Sequence, residues 1–319
     1  MQYFTGSKAH NIHIRGIAKE KGLKLSEYGV FCEDTKVAGK TEEEVYRALG
    51  MVWIPPEIRE DRGEVELALE GKLPDLVELK NIKGDLHIHS NFSDGQGDIE
   101  TLWRMAKNVG YEYIAITDHS PSAHYAGGLS VDEIKRRNEL IDRINKRGEP
   151  PFILKGMEVD ILADGSLDLP EDVLGELDVV IASVHQGFRK NVTERMISAC
   201  QNPYVHIIAH PSGRLINIRE GYDVDLERVI ESALETGTVL EVNGYYLRLD
   251  LDEVYARGFC QRGGMVCLNT DTHQLEMFDY MVYAVSVARR AWLTRENVLN
   301  TKSLKELLYW LRHEIRGGN

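Results

Sequence analysis

Residues 84–89 read GDLHIH, a short β-prone run with histidine at positions 87 and 89. Side chains alternate along a strand, so positions two apart share one face. His87 and His89 then point the same way, about 6–7 Å apart along the chain. That spacing suits two ring nitrogens converging on one cation. The motif alone is weak, because a polar edge strand with two incidental histidines reads the same.

Working outward, apolar β-branched runs recur at 84–89, 112–117, 152–157, 178–184, 205–209, 238–242 and 265–269. Helical patterns separate them at 98–109, 130–147, 191–201, 224–236 and 251–262. Ser130 with Glu133 three residues later marks one start as a capping box. Strands alternating with helices predict a parallel sheet. About seven such units point to a closed or nearly closed TIM-like barrel, with a doubly wound open sheet as the alternative.

In a βα barrel the chemistry collects where strands end. Strand one ends in His87 and His89, with Asp94 in the loop beyond. Strand two ends in Asp118 and His119. Glu158, His185 and His210 follow the next three strands, and Asp271 and His273 follow the last. Each single histidine is more often a hydrogen-bonded core or surface residue than a ligand. Five strands carrying such a residue at the same end make a coincidence that the bland reading has to explain five times. Imidazole and carboxylate together suit Zn²⁺, Mn²⁺ or Fe²⁺, and nine such groups are too many for one ion. Two or three ions with a bridging carboxylate are expected, an arrangement that serves phosphoester hydrolysis. Three divalent ions would outweigh the three carboxylates and leave the pocket net positive.

The remaining histidines are read as structural. His206 lies four residues deeper than His210, about 13 Å along the strand, at the core or barrel bottom. His10, His13 and His313 are read as surface residues. His124, in the loop SAHYAGG (122–128), is the candidate to overhang the site. Asp160, Asp164 and Asp168 are read as loop acids.

The 319-residue chain carries a formal net charge of −13. Such a chain does not grip nucleic acid through a broadly basic surface; positive charge would have to be local, as bound metal supplies. Cys32, Cys200, Cys260 and Cys267 form no C-x-x-C pair and read as reduced cysteines. With no long apolar run and no secretory leader, a cytoplasmic location is expected.

DLHIHS, TDHS, EVD, SVH, AHP and TDTH together resemble the motifs of PHP (polymerase and histidinol phosphatase) domains, over roughly residues 81–300. The resemblance implies a distorted (β/α)7 barrel with a trinuclear site holding Mn²⁺ or Zn²⁺. It implies that His87, His89, Glu158 and Asp271 hold one ion. Glu158, bridging, would hold the second with His185 and His210, and Asp94, His119 and His273 the third. QYFTGSKAHNIHIR (2–15) is similar to the end of the palm in family X DNA polymerases, and residues 25–62 are similar to their thumb. The order thumb, connector (63–80), PHP domain (81–319) resembles that of bacterial and archaeal family X enzymes. In that family the helix-hairpin-helix region and palm carboxylates lie upstream of the part matched here, so no polymerase activity is expected of this chain.

The expected activity is metal-dependent hydrolysis at DNA 3′ ends, as 3′–5′ exonuclease and 3′-phosphatase, with abasic-site cleavage as a further family activity. Asp118 is expected to orient a ligand or the nucleophile. Arg214 and Arg248 are expected to bind phosphate, and Asn243 in NGYYLRLDL (243–251) to lie at the substrate. The alternatives are a small-molecule phosphomonoesterase, such as a histidinol phosphatase, and a non-catalytic scaffold of a polymerase.

Overall fold

The chain divides into two units, Met1–Leu76 and Val77–Asn319. The computed structural model describes residues 1–313, with the His313 side chain and the expectation for it outside the described set.

In the first unit, Ser7 caps the helix Lys8–Glu20, its hydroxyl accepting the His10 N–H at 3.1 Å. Three short strands, β1 (Lys24–Ser26), β2 (Gly29–Cys32) and β3 (Thr35–Ala38), form an antiparallel sheet in that order. Thr41 caps the helix Glu42–Ala48, with three glutamates in its first turn favoured by the helix dipole. Two expectations need correction. His10 is not on the surface but fully buried. Its Nδ1–H donates to Glu64 Oε1 at 2.6 Å, and its Nε2 accepts the Tyr46 hydroxyl at 3.0 Å. Residues 63–76, expected as part of the connector, pack within the first unit. The helix Glu64–Glu70 buries Glu64, Val65 and Ala68 in this unit, and the Ala68 carbonyl accepts the Val52 N–H. The charged sequence hid this because the packed face is only two apolar residues wide, while Glu64 is buried through its partners.

The second unit is built on seven strands: β4 (Gly84–Ile88), β5 (Tyr113–Ile116), β6 (Phe152–Asp160), β7 (Val179–Ser183), β8 (Ile207–Ile208), β9 (Val239–Asn243) and β10 (Val266–Asn269). They pair in parallel in sequence order from β4 to β10. The helices fall where the periodicity put them, including Val131–Asn145 behind the Ser130–Glu133 capping box.

The barrel nearly closes between β10 and β4. At the lower end side chains bridge the seam: Asn269 Oδ1 accepts the Leu86 N–H, and Asp85 accepts the N–H and hydroxyl of Thr270. At the upper end the main chain takes over, with the His89 N–H bonded to the Thr272 carbonyl at 2.9 Å.

Leu86, Tyr113, Ala115, Leu154, Val179, Ile181, Ile207, Val239 and Cys267 fill the barrel interior. Leu307, Trp310 and Leu311 of the helix Leu304–His313 join that cluster. Residues of the opposite parity, such as Ile114, Met157, Val180 and Leu240, pack with the surrounding helices. The strand interiors are thus buried on both faces, as expected of a parallel barrel. Among the described residues no helix is long and apolar enough to cross a membrane.

Candidate metal centre

The nine expected ligands converge at the upper end of the second unit. His87 and His89 share a face, with ring centroids 5.1 Å apart. β4 carries one extra residue against β5, since Asp85 pairs with Ile114 and Ile88 with Ile116. Such a bulge lets adjacent residues face the same side, and here Leu86 joins the interior cluster while His87 also turns inward.

Glu158 lies at the middle of the cluster. Its Oε2 is 3.5 Å from both His87 Nε2 and His89 Nε2 and 3.1 Å from His119 Nδ1. Its Oε1 is 3.3 Å from His185 Nε2 and 3.0 Å from His210 Nε2. Asp271 Oδ1 lies 3.5 Å from His87 Nε2 and 3.3 Å from His89 Nε2. Asp94 Oδ1 lies 3.5 Å from His119 Nε2 and 3.4 Å from His273 Nε2. Three sets of donors are close enough to share an ion: His87, His89 and Asp271; His119, Glu158 and His185; and His89, Asp94, His119 and His273. His89 and His119 each belong to two sets, a closer interleaving than the expected partition.

Two of these residues depend on unusual backbone. At β8 and just beyond it, Ile207 and Ala209 face the interior, while Ile208 packs outward. Simple alternation would therefore send His210 outward with Ile208. His210 instead has φ +29 and reaches Glu158. Asp271 has φ +56. Non-glycine residues in this region carry strain that recurs at functional sites. Gly95 is required by close approach, because a Cβ there would lie 2.2 Å from the His89 carbonyl oxygen. Its lack of a side chain keeps the Asp94 loop against β4.

Sequence reading missed the residues behind the ligands. Glu241 Oε1 accepts the His87 Nδ1–H at 2.7 Å and an Asn269 amide N–H at 2.9 Å, and Oε2 accepts the His210 backbone N–H. Asp160 is not a loop acid: it ends β6, buried, and holds His185 Nδ1 at 2.5 Å. Both are of the inward parity of their strands, Glu241 with Val239 and Asp160 with Leu154, which was the signal available. His273 Nδ1–H donates to the Asp271 carbonyl. Each contact fixes one ring nitrogen and turns the other inward.

The other expected residues divide. Arg248 lies against the cluster, with Nε 3.4 Å from Asp271 Oδ2 and with Nε and Nη1 buried without a hydrogen-bond acceptor among the described residues. Asn243 is a brace rather than an open substrate contact: its amide donates to Glu241 and Asp271, and its oxygen accepts the Tyr245 N–H. Arg214 is committed to the Arg248 and Leu249 carbonyls. Asp118 is occupied one layer out by Ser90, Ser93 and Arg137. His124 is exposed; its neighbour Tyr125 overhangs the cluster, with its ring 6.2 Å from that of His185 and 6.4 Å from that of His119. His206 lies at the start of β7, accepting the Val180 N–H.

The electrostatics fit a cation site. Burial works against the Glu158 charge, yet His185, His87 and His119 around it hold its carboxyl well below the usual range. Asp271 is held low in the same way by His87, His89 and His273. Burial also opposes protonation of His185 and His273, but Glu158 with Asp160 pushes the first up to about 10, and Asp94 with Asp271 pushes the second up to about 9. Burial, with His273 and His119 beside it, lowers His89 to about 4. His87 Nε2, both nitrogens of His89, His119 Nδ1 and His210 Nδ1 are buried without hydrogen-bond partners among the described residues. Buried polar atoms are rarely left so. Ionised carboxylates among clustered imidazoles are a donor set that divalent cations take, displacing the protons that His185 and His273 otherwise hold.

Residues 85–249 match the PHP domain family, and residues 1–60 match the DNA polymerase beta thumb family. The DNA polymerase/3′-5′ exonuclease PolX of Bacillus subtilis (strain 168) is 44% identical over 98% of this chain. The match spans 55% of that relative's length. A protein of Thermoanaerobacter sp. (strain X514) assigned as a phosphatase is 33% identical, over 73% of this chain and 97% of its own. Among solved structures, a Listeria monocytogenes protein assigned as a histidinol phosphatase shares the fold, with a TM-score of 0.51, 15% identity, and coverage of 61% of this chain and 97% of that one. The chain belongs to the PHP domain family, its PHP domain following a polymerase beta-type thumb.

Proposed function

We propose that this chain is a metal-dependent phosphoesterase that acts on the 3′ ends of DNA, removing a terminal nucleotide or a 3′-phosphate. Its class, a PHP-type phosphoesterase using divalent cations, follows from the family. The convergence of nine imidazole and carboxylate groups on one pocket carries the reading. Three ions, Mn²⁺ or Zn²⁺, held by His87, His89, Asp94, His119, Glu158, His185, His210, Asp271 and His273, suit that donor set. Such ions supply charge to phosphoryl oxygens and acidify water to a nucleophile.

The protein's own groups do the rest. Glu241 and Asp160 keep the inward nitrogens of His87 and His185 free by accepting the proton on the other side. Arg248, beside Asp271, has Nε and Nη1 without a hydrogen-bond acceptor among the described residues, and would bind a phosphoryl oxygen as charge grows on it. Tyr125 narrows the mouth beside His119 and His185.

DNA is favoured as substrate by the thumb match and by the 44% identity to PolX over 98% of this chain. A small phosphomonoester is the second reading, favoured by the phosphatase relative matched over nearly all of its length. The deciding experiment incubates the chain, with Mn²⁺ and with chelator, on a DNA primer ending in a 3′-phosphate and on histidinol phosphate. Metal-dependent change of the DNA end alone is expected. Turnover of histidinol phosphate alone would replace the DNA reading with the second one.

A further inference from the structure

Two neighbouring strand-end loops bring four tyrosines together beside the pocket. Tyr245 and Tyr246 follow β9, and Tyr280 and Tyr283 lie beyond β10 at the start of the helix Met281–Arg290. Tyr245 stacks on Tyr280 with centroids 6.1 Å apart and planes 23° from parallel. Tyr246 meets Tyr245 at 5.1 Å and Tyr280 at 5.6 Å edge-on, and Tyr283 lies 5.7 Å from Tyr280. Tyr246 and Tyr283 remain 49% and 44% exposed. Solvated rings gain little from each other alone, so a patch of this kind marks a surface that receives a ligand.

The loops are held together by construction. A Cβ on Gly244 would lie 2.6 Å from the Tyr280 carbonyl oxygen, so only glycine lets the two loops touch. The Gly244 N–H bonds the Asn269 carbonyl at 2.7 Å. The patch is also continuous with the metal centre. The Tyr245 N–H bonds Asn243, whose amide holds Asp271, and Arg248 lies three residues further along the same loop. One short segment therefore carries aromatic faces at one end and a phosphate-binding guanidinium at the other.

We propose that the Tyr245–Tyr246–Tyr280–Tyr283 cluster is a stacking platform for unpaired nucleobases of a strand whose phosphate occupies the metal pocket. This rests on the phosphoesterase reading above and specifies its substrate as single-stranded at the reacting end. Rings accept any base by its π-face, so the platform would bind without sequence preference, and the acidic surface leaves stacking and the local cations as the sources of grip.

The test uses a single-stranded oligonucleotide with 2-aminopurine near a 3′-phosphate, whose fluorescence is quenched on stacking. Binding is followed by titrating the full chain in Mn²⁺, and cleavage is scored separately. The parent and Tyr246→Phe/Tyr283→Phe should quench alike. Tyr246→Ala/Tyr283→Ala should bind at least about tenfold more weakly, with little quenching. Unchanged quenching in the alanine variant, or no quenching by the parent, would overturn the platform. Quenching that depends on the tyrosines, without any cleavage of DNA, would instead overturn the DNA 3′-end activity and leave the platform standing.

Discussion

At the scale of the residue, the proposed ligands are only as good as what holds them. Glu241 touches no solvent and accepts from His87, His210, Asn243 and Asn269. Glu241→Gln keeps the volume but replaces the acceptor facing His87 Nδ1 with a group that is half donor. It should weaken metal affinity by about 10- to 100-fold, read by equilibrium dialysis with Mn²⁺ or Zn²⁺. Asp160→Asn should act likewise through His185. Arg248 makes a different prediction. Its burial opposes its charge, but Asp271 and Tyr222 nearby favour the cation and raise it above the usual arginine value. Arg248→Ala should leave metal content unchanged and lower kcat/KM on a phosphate ester by roughly 100-fold. Lysine should restore only part of that, because it lacks the planar fork. Steady-state kinetics with metal analysis of each variant separates these cases.

At the scale of the element, the His10–Glu64 contact joins the helix Lys8–Glu20 to the helix Glu64–Glu70. Glu64 also accepts the N–H groups of Asp61 and Arg62 at 2.8 and 2.7 Å. Burial raises its carboxyl, but His10 and these backbone donors outweigh it and hold Glu64 below the usual range. A carboxyl depressed in the folded state stabilises the fold above its unfolded value, about 4.3. That stability is lost as pH falls from there through the lower folded value. The urea midpoint of the first unit should therefore fall below pH 4.5 more steeply in the parent than in Glu64→Gln. His10→Ala should cost about 3 kcal/mol at neutral pH by leaving a buried carboxylate short of a partner, measured by the same denaturation. On β8, the two-residue strand is the shortest of the barrel, and the chain leaves strand geometry at His210. The periodicity placed the strand at 205–209, and the irregularity at its end is what makes the histidine useful.

At the scale of the whole molecule, the centre gathers donors from the ends of β4 to β8 and β10, with β9 supplying the brace. Cations held by these residues would tie six strand ends together, and binding to the folded state alone would stabilise it by mass action. Chelation should lower the melting temperature of the second unit and leave that of the first unchanged, since none of the nine proposed ligands lies within Met1–Leu76. Scanning calorimetry with and without excess Mn²⁺ measures both transitions; an equal shift in each would count against a metal centre confined to the barrel.

The sequence by itself determined the alternation of strands and helices, because burial on both faces forces continuous apolar runs and helices keep their own period. It also singled out nine imidazole and carboxylate residues that the fold brings together, because a barrel collects strand ends at one place and such residues recur there. It did not disclose His10 as a core residue, since a polar side chain is buried by virtue of partners 36 and 54 residues away. Nor did it reveal Glu241 and Asp160, because an acid inside a strand reads as an exception until the histidine opposite it is in view. Only the tertiary structure decided that Asn243 and Arg214 brace the loop while Arg248, ion-paired with Asp271, keeps N–H groups without a hydrogen-bond acceptor among the described residues. Which end of a polar side chain is spent and which is left over depends on contacts across strands, and local pattern carries no record of them.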